Sequence, residues 1–216
     1  MLKHAVLLLA VIFTAISLNG CSSAYYSAME KVGIHKRDIM VDRVEEAKEA
    51  QEGAQQQFTS ALEQLSALIS FDGGDLAEQY EIIKDQYDAS KSAADEVAAR
   101  ITAIENVAEA LFDEWSDEIS QYESAKLKRQ SQLKYKETER RYNRLIATMR
   151  KAESKMTPVL MALKDNTLYL KHNLNAKAIG ALQGEFSSIK QDVEILINEM
   201  NKAINQSQEF IDLLNP

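Results

Sequence analysis

The chain has 216 residues, of which 33 are acidic and 25 are basic, and its formal net charge at neutral pH is −8. An acidic chain of this kind is a poor general ligand for nucleic acid, so we expect no nucleic-acid partner. The single cysteine excludes a disulfide framework and a thiolate metal site. Two prolines and seven glycines are too few for the many turns of a β-rich fold.

The first twenty residues have the pattern of an export signal. Lys3 lies in a short charged start, and residues 5–18 are almost wholly apolar. This apolar run is short for a bilayer span, which needs about 20 residues, although an uncleaved membrane anchor is the alternative. We predict a signal peptide over residues 1–20, with cleavage between Gly20 and Cys21.

The stretch "LNGC" at residues 18–21 resembles the lipobox of bacterial lipoproteins. In that class the signal peptidase cuts before the cysteine, which then carries the acyl chains; two or more chains give stable anchoring. The resemblance implies that Cys21 is lipidated. By resemblance to the sorting rules of Gram-negative bacteria, Ser22 points to the outer membrane. Residues 21–35 would then be the lipid anchor and tether.

Apolar residues recur at alternating steps of four and three through most of the remaining chain. One such row comprises Leu76, Tyr80, Ile83, Tyr87, Ser90, Ala94, Val97, Ile101, Ile104, Ala108, Leu111 and Trp115. Another comprises Leu182, Phe186, Ile189, Val193, Leu196, Met200, Ala203, Ser207, Phe210 and Leu214. Beside it, Ile197, Ile204 and Ile211 widen the apolar stripe, so each helix is expected to touch two neighbours.

These patterns predict an all-α fold: an elongated antiparallel bundle of about four long helices with coiled-coil-like packing. The helices are expected near residues 36–71, 75–123, 125–172 and 176–214, in a single domain over 36–216. Such a bundle would be a rod standing on a membrane, without a pocket.

The clearest helix boundary is "FDGGD". Gly73 and Gly74 supply the backbone freedom that ends a helix, and Asp75 is placed as an N-cap with Glu78 completing a capping box. A calcium loop is the alternative for Asp72 and Asp75, but the regular oxygen ligands of an EF-hand are missing, so no metal site is predicted.

The other boundaries are weaker. Ser124 can cap a new helix where the heptad phase is lost, although one unbroken helix over 75–157 is the alternative. Asn173 and Asn175 mark the next break. Pro158 lacks a backbone donor, so the third helix is expected to kink or restart there.

A basic segment over residues 126–155 is the strongest candidate for a contact surface. Its candidate contact residues are Lys126, Lys128, Arg129, Arg140, Arg141 and Arg144. They can bind phosphate in lipid headgroups, lipopolysaccharide or nucleic acid, with Tyr135 and Tyr142 available for stacking. The simpler interpretation is that this helix lies antiparallel to an acidic one and that opposite charges pair along the seam, which sets helix pairing.

Two further motifs leave alternatives open. "GIHKRD" at residues 33–38 either touches headgroups near the tether or is the solvated start of a helix. Gly180 and Gly184 have a GxxxG spacing, which fits close approach of a second chain and a homo-oligomer, or is accidental.

No pattern in the sequence indicates catalysis. His35 and His172 lack the neighbours of a metal site, and no nucleophile elbow or phosphate-binding glycine loop occurs. We therefore expect a non-enzymatic protein without cofactors.

Several blocks resemble an uncharacterised family of bacterial proteins, known only as a domain of unknown function and typically predicted to be lipoproteins. The matching blocks are Gly33–Asp38, Val41–Val44, Phe71–Asp75, Glu139–Ile146, Pro158–Leu160 and Leu170–Ile179. The resemblance implies a helical, exported protein of Gram-negative bacteria and carries over no catalytic residue.

The sequence thus favours an envelope lipoprotein on the periplasmic face of the outer membrane, held by its acyl chains. It would act as a scaffold or accessory subunit that binds envelope proteins. The alternative function is binding of a membrane surface or lipopolysaccharide through segment 126–155.

Overall fold

A computed structural model describes residues 25–26, 29–31, 33–70, 73, 75–173 and 175–215 of the chain. Four long helices account for most of them: α1 (Lys36–Ile69), α2 (Leu76–Gln121), α3 (Ala125–His172) and α4 (Ala176–Leu214). At 1.5 Å per residue they are about 50, 70, 70 and 60 Å long. The predicted all-α bundle is confirmed, and each predicted helix is found within two residues of its expected ends. The predicted signal peptide, with Gly20 and Cys21, lies outside the described residues.

The four helices form a closed ring in which each packs against two others: α1 with α2, α2 with α3, α3 with α4, and α4 with α1. Neighbours are antiparallel. Early residues of α1 contact late residues of α2, as in the bond between Lys36 and Glu114, while Gln57 near the end of α1 reaches Gln86. Short connections between consecutive helices favour this arrangement.

Capping side chains set two of the helix starts. The Asp75 carboxylate accepts the backbone N–H of Ala77 at 2.8 Å, and the Ser124 hydroxyl accepts that of Leu127 at 3.4 Å. Residues 75–157 therefore form two helices and not one, with a tight connection over residues 122–124.

The expected restart at Pro158 is wrong, because α3 runs through the proline without interruption. The proline costs one backbone hydrogen bond and lies on the exposed face of the helix. Met156, Val159 and Leu163 around it are all buried, so tertiary packing holds the helix on both sides of the missing donor.

A continuous apolar core runs along the bundle axis. Its largest fully buried side chains include Phe58, Leu65, Ile101, Leu145, Met149 and Phe210. Buried positions along each helix, such as Ile101, Ile104 and Ala108 in α2, are spaced by three and four residues, as the heptad rows require. Burial of such side chains contributes roughly 1.5–3 kcal/mol each.

Helices α2 and α3 extend beyond α1 and α4 at one end of the bundle. Lys36 at the start of α1 contacts Glu114, so the last turns of α2 have no α1 beside them. The first buried residue of α3 is Thr138, thirteen residues after the helix begins. Residues 116–136 therefore form a helical hairpin that projects past the four-helix core.

A short segment before α1 packs back on the bundle. Tyr25, Tyr26 and Met29–Lys31 are helical, and Tyr26 is buried against the core. Gly33 ends this segment with φ of 86°, and its N–H bonds to the carbonyl of Glu30 while the N–H of Ile34 bonds to that of Met29. This pair of bonds is a Schellman motif, which glycine favours because it needs a positive φ.

Lys36 fixes the same segment to the bundle. Its side chain is only 8% exposed, and its Nζ lies 2.6 Å from a Glu30 oxygen and 2.8 Å from a Glu114 oxygen. Burial by itself lowers the pKa of Lys36, but the hydrogen bonds to Glu114 and Glu30 outweigh it, and the pKa lies above its ordinary value. The ammonium therefore stays charged and ties the segment to both α1 and α2.

Gln51 interrupts the apolar stripe of α1 between Ala47 and Ala54. It is fully buried, and within the described part of the chain neither atom of its amide group has a hydrogen-bond partner. An unsatisfied buried amide costs about 1–3 kcal/mol.

We expect Gln51→Leu to stabilise the bundle, because leucine has a similar size and no polar group to desolvate. Thermal unfolding followed by circular dichroism should show a rise of several degrees, at about 2–4 °C per kcal/mol for a chain of this length. The control is Gln55→Leu, which breaks a surface hydrogen bond to Asn201 and should give no gain. A fall in melting temperature for Gln51→Leu would show that its amide is satisfied in solution.

Candidate interaction surface on the third helix

The charges of the bundle are segregated by helix. Helix α3 carries thirteen Lys and Arg residues and only four Asp and Glu. Helix α1 carries seven acidic and four basic residues, and α2 carries twelve acidic and three basic. The basic helix is thus adjacent to α2 and diagonally opposite α1, so opposite sides of the bundle have opposite charge.

Only part of this basic helix pairs across a helix seam. The Arg150 guanidinium binds Glu105 of α2 through two bonds of 3.1 and 2.5 Å, and Glu153 of its own helix at 2.8 Å. The hydrogen bonds to Glu105 raise the pKa of Arg150 further, so its charge is permanent. The predicted pairing of α3 with an acidic neighbour therefore holds for Arg150.

A second cross-helix pair joins α3 to α4. Lys151 lies 3.0 Å from a carboxylate oxygen of Glu199, and Lys202 lies 2.8 Å from the other oxygen. The hydrogen bonds from Lys202 and Lys151 lower the pKa of Glu199, which keeps the carboxylate ionised between the two cations.

The six predicted contact residues behave differently. Lys126, Arg129, Arg140 and Arg144 form no ion pair within 4.0 Å to any residue that the structure describes, and the same holds for Lys128, whose Nζ donates to the Ser120 carbonyl. Arg141 pairs only with Glu137 on its own helix, at 3.5 Å. Arg141 and Arg144 line a small cleft beside Glu209 of α4. Among the described residues, none of the six therefore forms an ion pair across a seam, although Lys128 bonds to the backbone of α2.

The outermost ridge of α3 carries apolar side chains as well as cations. Residues spaced by seven from Lys126 lie on the line farthest from the core, and every one of them is exposed. Leu133, Met161 and Leu168 on this ridge are 62%, 60% and 50% exposed. Because 35 residues separate the first from the last, the apolar positions extend over about 50 Å of helix.

Tyr135 and Tyr142 do not belong to this surface. Their rings pack against Phe112 in the seam between α2 and α3, with centroids 5.5 and 5.4 Å away, and Tyr135 also contacts Trp115 at 5.6 Å. Burial raises the pKa of Tyr142 to about 12. The alternative in which these tyrosines stack on a ligand is therefore contradicted, because their rings hold the base of the projecting hairpin to the core.

One cavity lies where the four-helix core ends, contrary to the expectation of a rod without a pocket. It has a volume of about 230 Å³ and an apolar wall formed by Leu111, Trp115, Leu213 and Leu214. Arg37, Lys134, Glu114 and Glu118 stand at its rim. The cavity arises because α1 and α4 stop there while α2 and α3 continue. Sequence patterns along single helices give no signal for it.

The two glycines of the GxxxG spacing are both exposed. A Cβ atom at Gly180 or Gly184 would meet no other atom within 4 Å. Neither glycine therefore permits a close helix approach within this chain. Among the described residues no group of three or more His, Cys, Asp or Glu side chains is arranged to hold a metal ion.

Two charge reversals on α3 separate paired from unpaired cations. Arg150→Glu places a third carboxylate beside Glu105 and Glu153, and we expect it to lower the free energy of unfolding by about 1–3 kcal/mol. Arg140→Glu removes no ion pair and should change it by less than about 0.5 kcal/mol. Urea unfolding of both variants measures the difference; equal destabilisation would contradict the observed pairing.

No helix in the described ranges combines the length and apolarity needed to cross a bilayer.

Comparison with known proteins identifies a family. No curated protein and no solved structure is significantly similar to the chain. A family described as "Protein of unknown function (DUF2959)" matches residues 25–214, which cover all four helices and the segment before them. The chain therefore belongs to the DUF2959 family.

Proposed function

We propose that this protein is a non-enzymatic lipoprotein of the Gram-negative envelope, anchored through acyl chains on Cys21 at the periplasmic face of the outer membrane. It acts as an interaction protein, a scaffold or accessory subunit, and binds its partner through outward helix faces. The lipobox pattern at residues 18–21 supports the anchor and its location.

The unpaired cations of α3 are the observation that carries the interaction role. Exposed ion pairs add little to stability, and cations without any partner add less still. Arg129, Lys136 and Arg140 are exposed, and none has a carboxylate within 4.0 Å among the described residues. A cluster of like charges with no structural use inside the bundle is best explained by a partner outside it.

A second candidate function is binding of a membrane surface, and the exposed apolar ridge of α3 favours it. Leu133, Met161 and Leu168 share one line of the helix, and cations flank that line. Apolar side chains flanked by Lys and Arg are typical of helices that lie in the headgroup region of a bilayer. A partner protein with an acidic groove would use the cations but would need its own apolar surface for the ridge.

The anchor is tested by labelling. In a Gram-negative host that expresses the full chain, we expect radiolabelled palmitate to be incorporated, and Cys21→Ala to abolish incorporation, because the chain has no other thiol. Cys21→Ala should also leave the chain unprocessed or release it from the membrane fraction. Labelling that persists in Cys21→Ala would show that the lipobox interpretation is wrong.

Membrane binding is tested by charge reversal. The triple variant Arg129→Glu, Lys136→Glu and Arg140→Glu should keep its melting temperature, since it breaks no ion pair. It should lose sedimentation with phosphatidylglycerol vesicles, because each cation near an anionic surface contributes about 1 kcal/mol.

The matched control reverses Lys84, Lys91 and Lys190, which lie on α2 and α4 and pair with acids one turn away. It has the same net charge as the first triple variant and should still sediment with the vesicles. If both triple variants lose binding equally, net charge and not the α3 face is responsible. If neither loses binding, the α3 face does not contact the bilayer.

A further inference from the structure

The segment that joins the bundle to its proposed anchor lies over the groove between α1 and α2. Glu30 and Glu114 both bond to Lys36, which places residues 29–31 beside the start of α1 and the end of α2. Burial raises the pKa of Tyr26, and the nearby charge of Arg43, two turns into α1, partly opposes that rise. The segment therefore runs antiparallel to α1, which places Tyr25 on the α1–α2 side.

The reach of that chain is short. Four residues separate Tyr25 from the end of the predicted signal peptide, and a fully extended chain of four residues spans at most about 14 Å. Helices in a bundle lie about 8–10 Å apart and are about 10–12 Å wide. The path around the bundle from the α1–α2 groove to the outer ridge of α3 is therefore about 20 Å or more. An anchor on the α1–α2 side does not reach that ridge while the segment stays packed.

The exposed α3 face consequently points away from the membrane that holds the protein. Three features hold the segment before α1 in this position. Tyr26 is buried, the Gly33 turn is closed by two backbone hydrogen bonds, and Lys36 is buried between two carboxylates. The α1 and α2 helices on the anchored side are acidic, whereas α3 is basic.

We propose that the protein bridges two bilayers: its acyl chains hold the α1–α2 side to one membrane, and the outward face of α3 docks on a second, anionic membrane. This inference rests on the proposed lipidation of Cys21. The docking face consists of the apolar ridge at Leu133, Met161 and Leu168 together with the cations beside it, among them Arg129, Lys136 and Arg140.

Two features of this face select a bilayer as the occupant. Its three large apolar side chains are distributed over about 50 Å of one continuous helix, a length that suits an extended surface. Cations flank the apolar ridge, so the leucines and methionine can enter the acyl region while the Lys and Arg side chains meet lipid phosphates. An acidic polymer would satisfy the cations and leave the ridge exposed to water.

The test uses the chain from Cys21 onward and its only thiol. Cys21 is coupled to a maleimide-headgroup lipid in phosphatidylglycerol-rich vesicles that contain one fluorescent lipid. These vesicles are then mixed with phosphatidylglycerol-rich vesicles that lack protein and contain a second fluorescent lipid. Because both populations are anionic, the α3 face is free to bind either its own membrane or the opposite one. Energy transfer between the two fluorescent lipids reports bridging.

We expect bridging by the wild-type chain, and none when the protein-free vesicles contain only phosphatidylcholine. Arg129→Glu, Lys136→Glu and Arg140→Glu together should weaken bridging on the order of a hundredfold. The triple reversal at Lys84, Lys91 and Lys190 should leave it within a few-fold of wild type.

Two results would overturn the inference, and they differ in what else they exclude. If chain with a capped Cys21 sediments with anionic vesicles but the coupled chain does not bridge them, α3 binds the membrane of its own anchor and only the bridge is wrong. If the capped chain does not sediment at all, the bilayer is not the partner of this face. Neither result bears on the lipid anchor, which palmitate labelling decides.

Discussion

The closed core of four antiparallel helices is the constraint on which the other features of this structure depend. Each helix has two buried rows spaced by three and four residues and therefore touches two neighbours, which leaves it a single outward face. Side chains such as Leu65, Ile101 and Leu145 have no exposed surface. Since the core is closed, any partner must bind to an outward face, to an end of the bundle, or to the hairpin that projects from it.

Charge then distinguishes these outward faces. The acidic side chains are most numerous on α2 and the basic ones on α3. Among the described residues of α3, Arg150 forms an ion pair across the seam with α2, and Lys151 forms one across the seam with α4. Ion pairs at a bundle surface contribute little to stability, so cations such as Arg140, which has no carboxylate partner among the described residues, are free to serve another purpose. The short helical segment before α1 makes the sides of the bundle distinct, because Lys36 fixes this segment on the α1–α2 side. With the proposed anchor on one side and the basic helix on another, such a bundle would be suited to hold two components at a fixed distance.

Local sequence signals predicted the helices well. Ser124 and Asp75 cap the helices that begin after them, since a short polar side chain that bonds to its own backbone needs no distant contact. The expected restart at Pro158 is wrong, because the loss of one backbone bond is a local effect that buried neighbours such as Val159 and Leu163 override. The role of Tyr135 and Tyr142 likewise depends on tertiary contacts, since only the pairing of α2 with α3 shows that their rings meet Phe112.

The sequence by itself determined the number of long helices, their approximate ends, the heptad core and the concentration of positive charge in α3, because each of these depends on the order of residues along one helix. The tertiary structure alone decided which cations are paired, that the segment around Tyr26 folds back over α1 and α2, and that a cavity forms beside Trp115. These features depend on the register between helices that are far apart in the chain, such as the alignment of Lys36 with Glu114. Register is set by the packing of the whole core, and no local pattern encodes it.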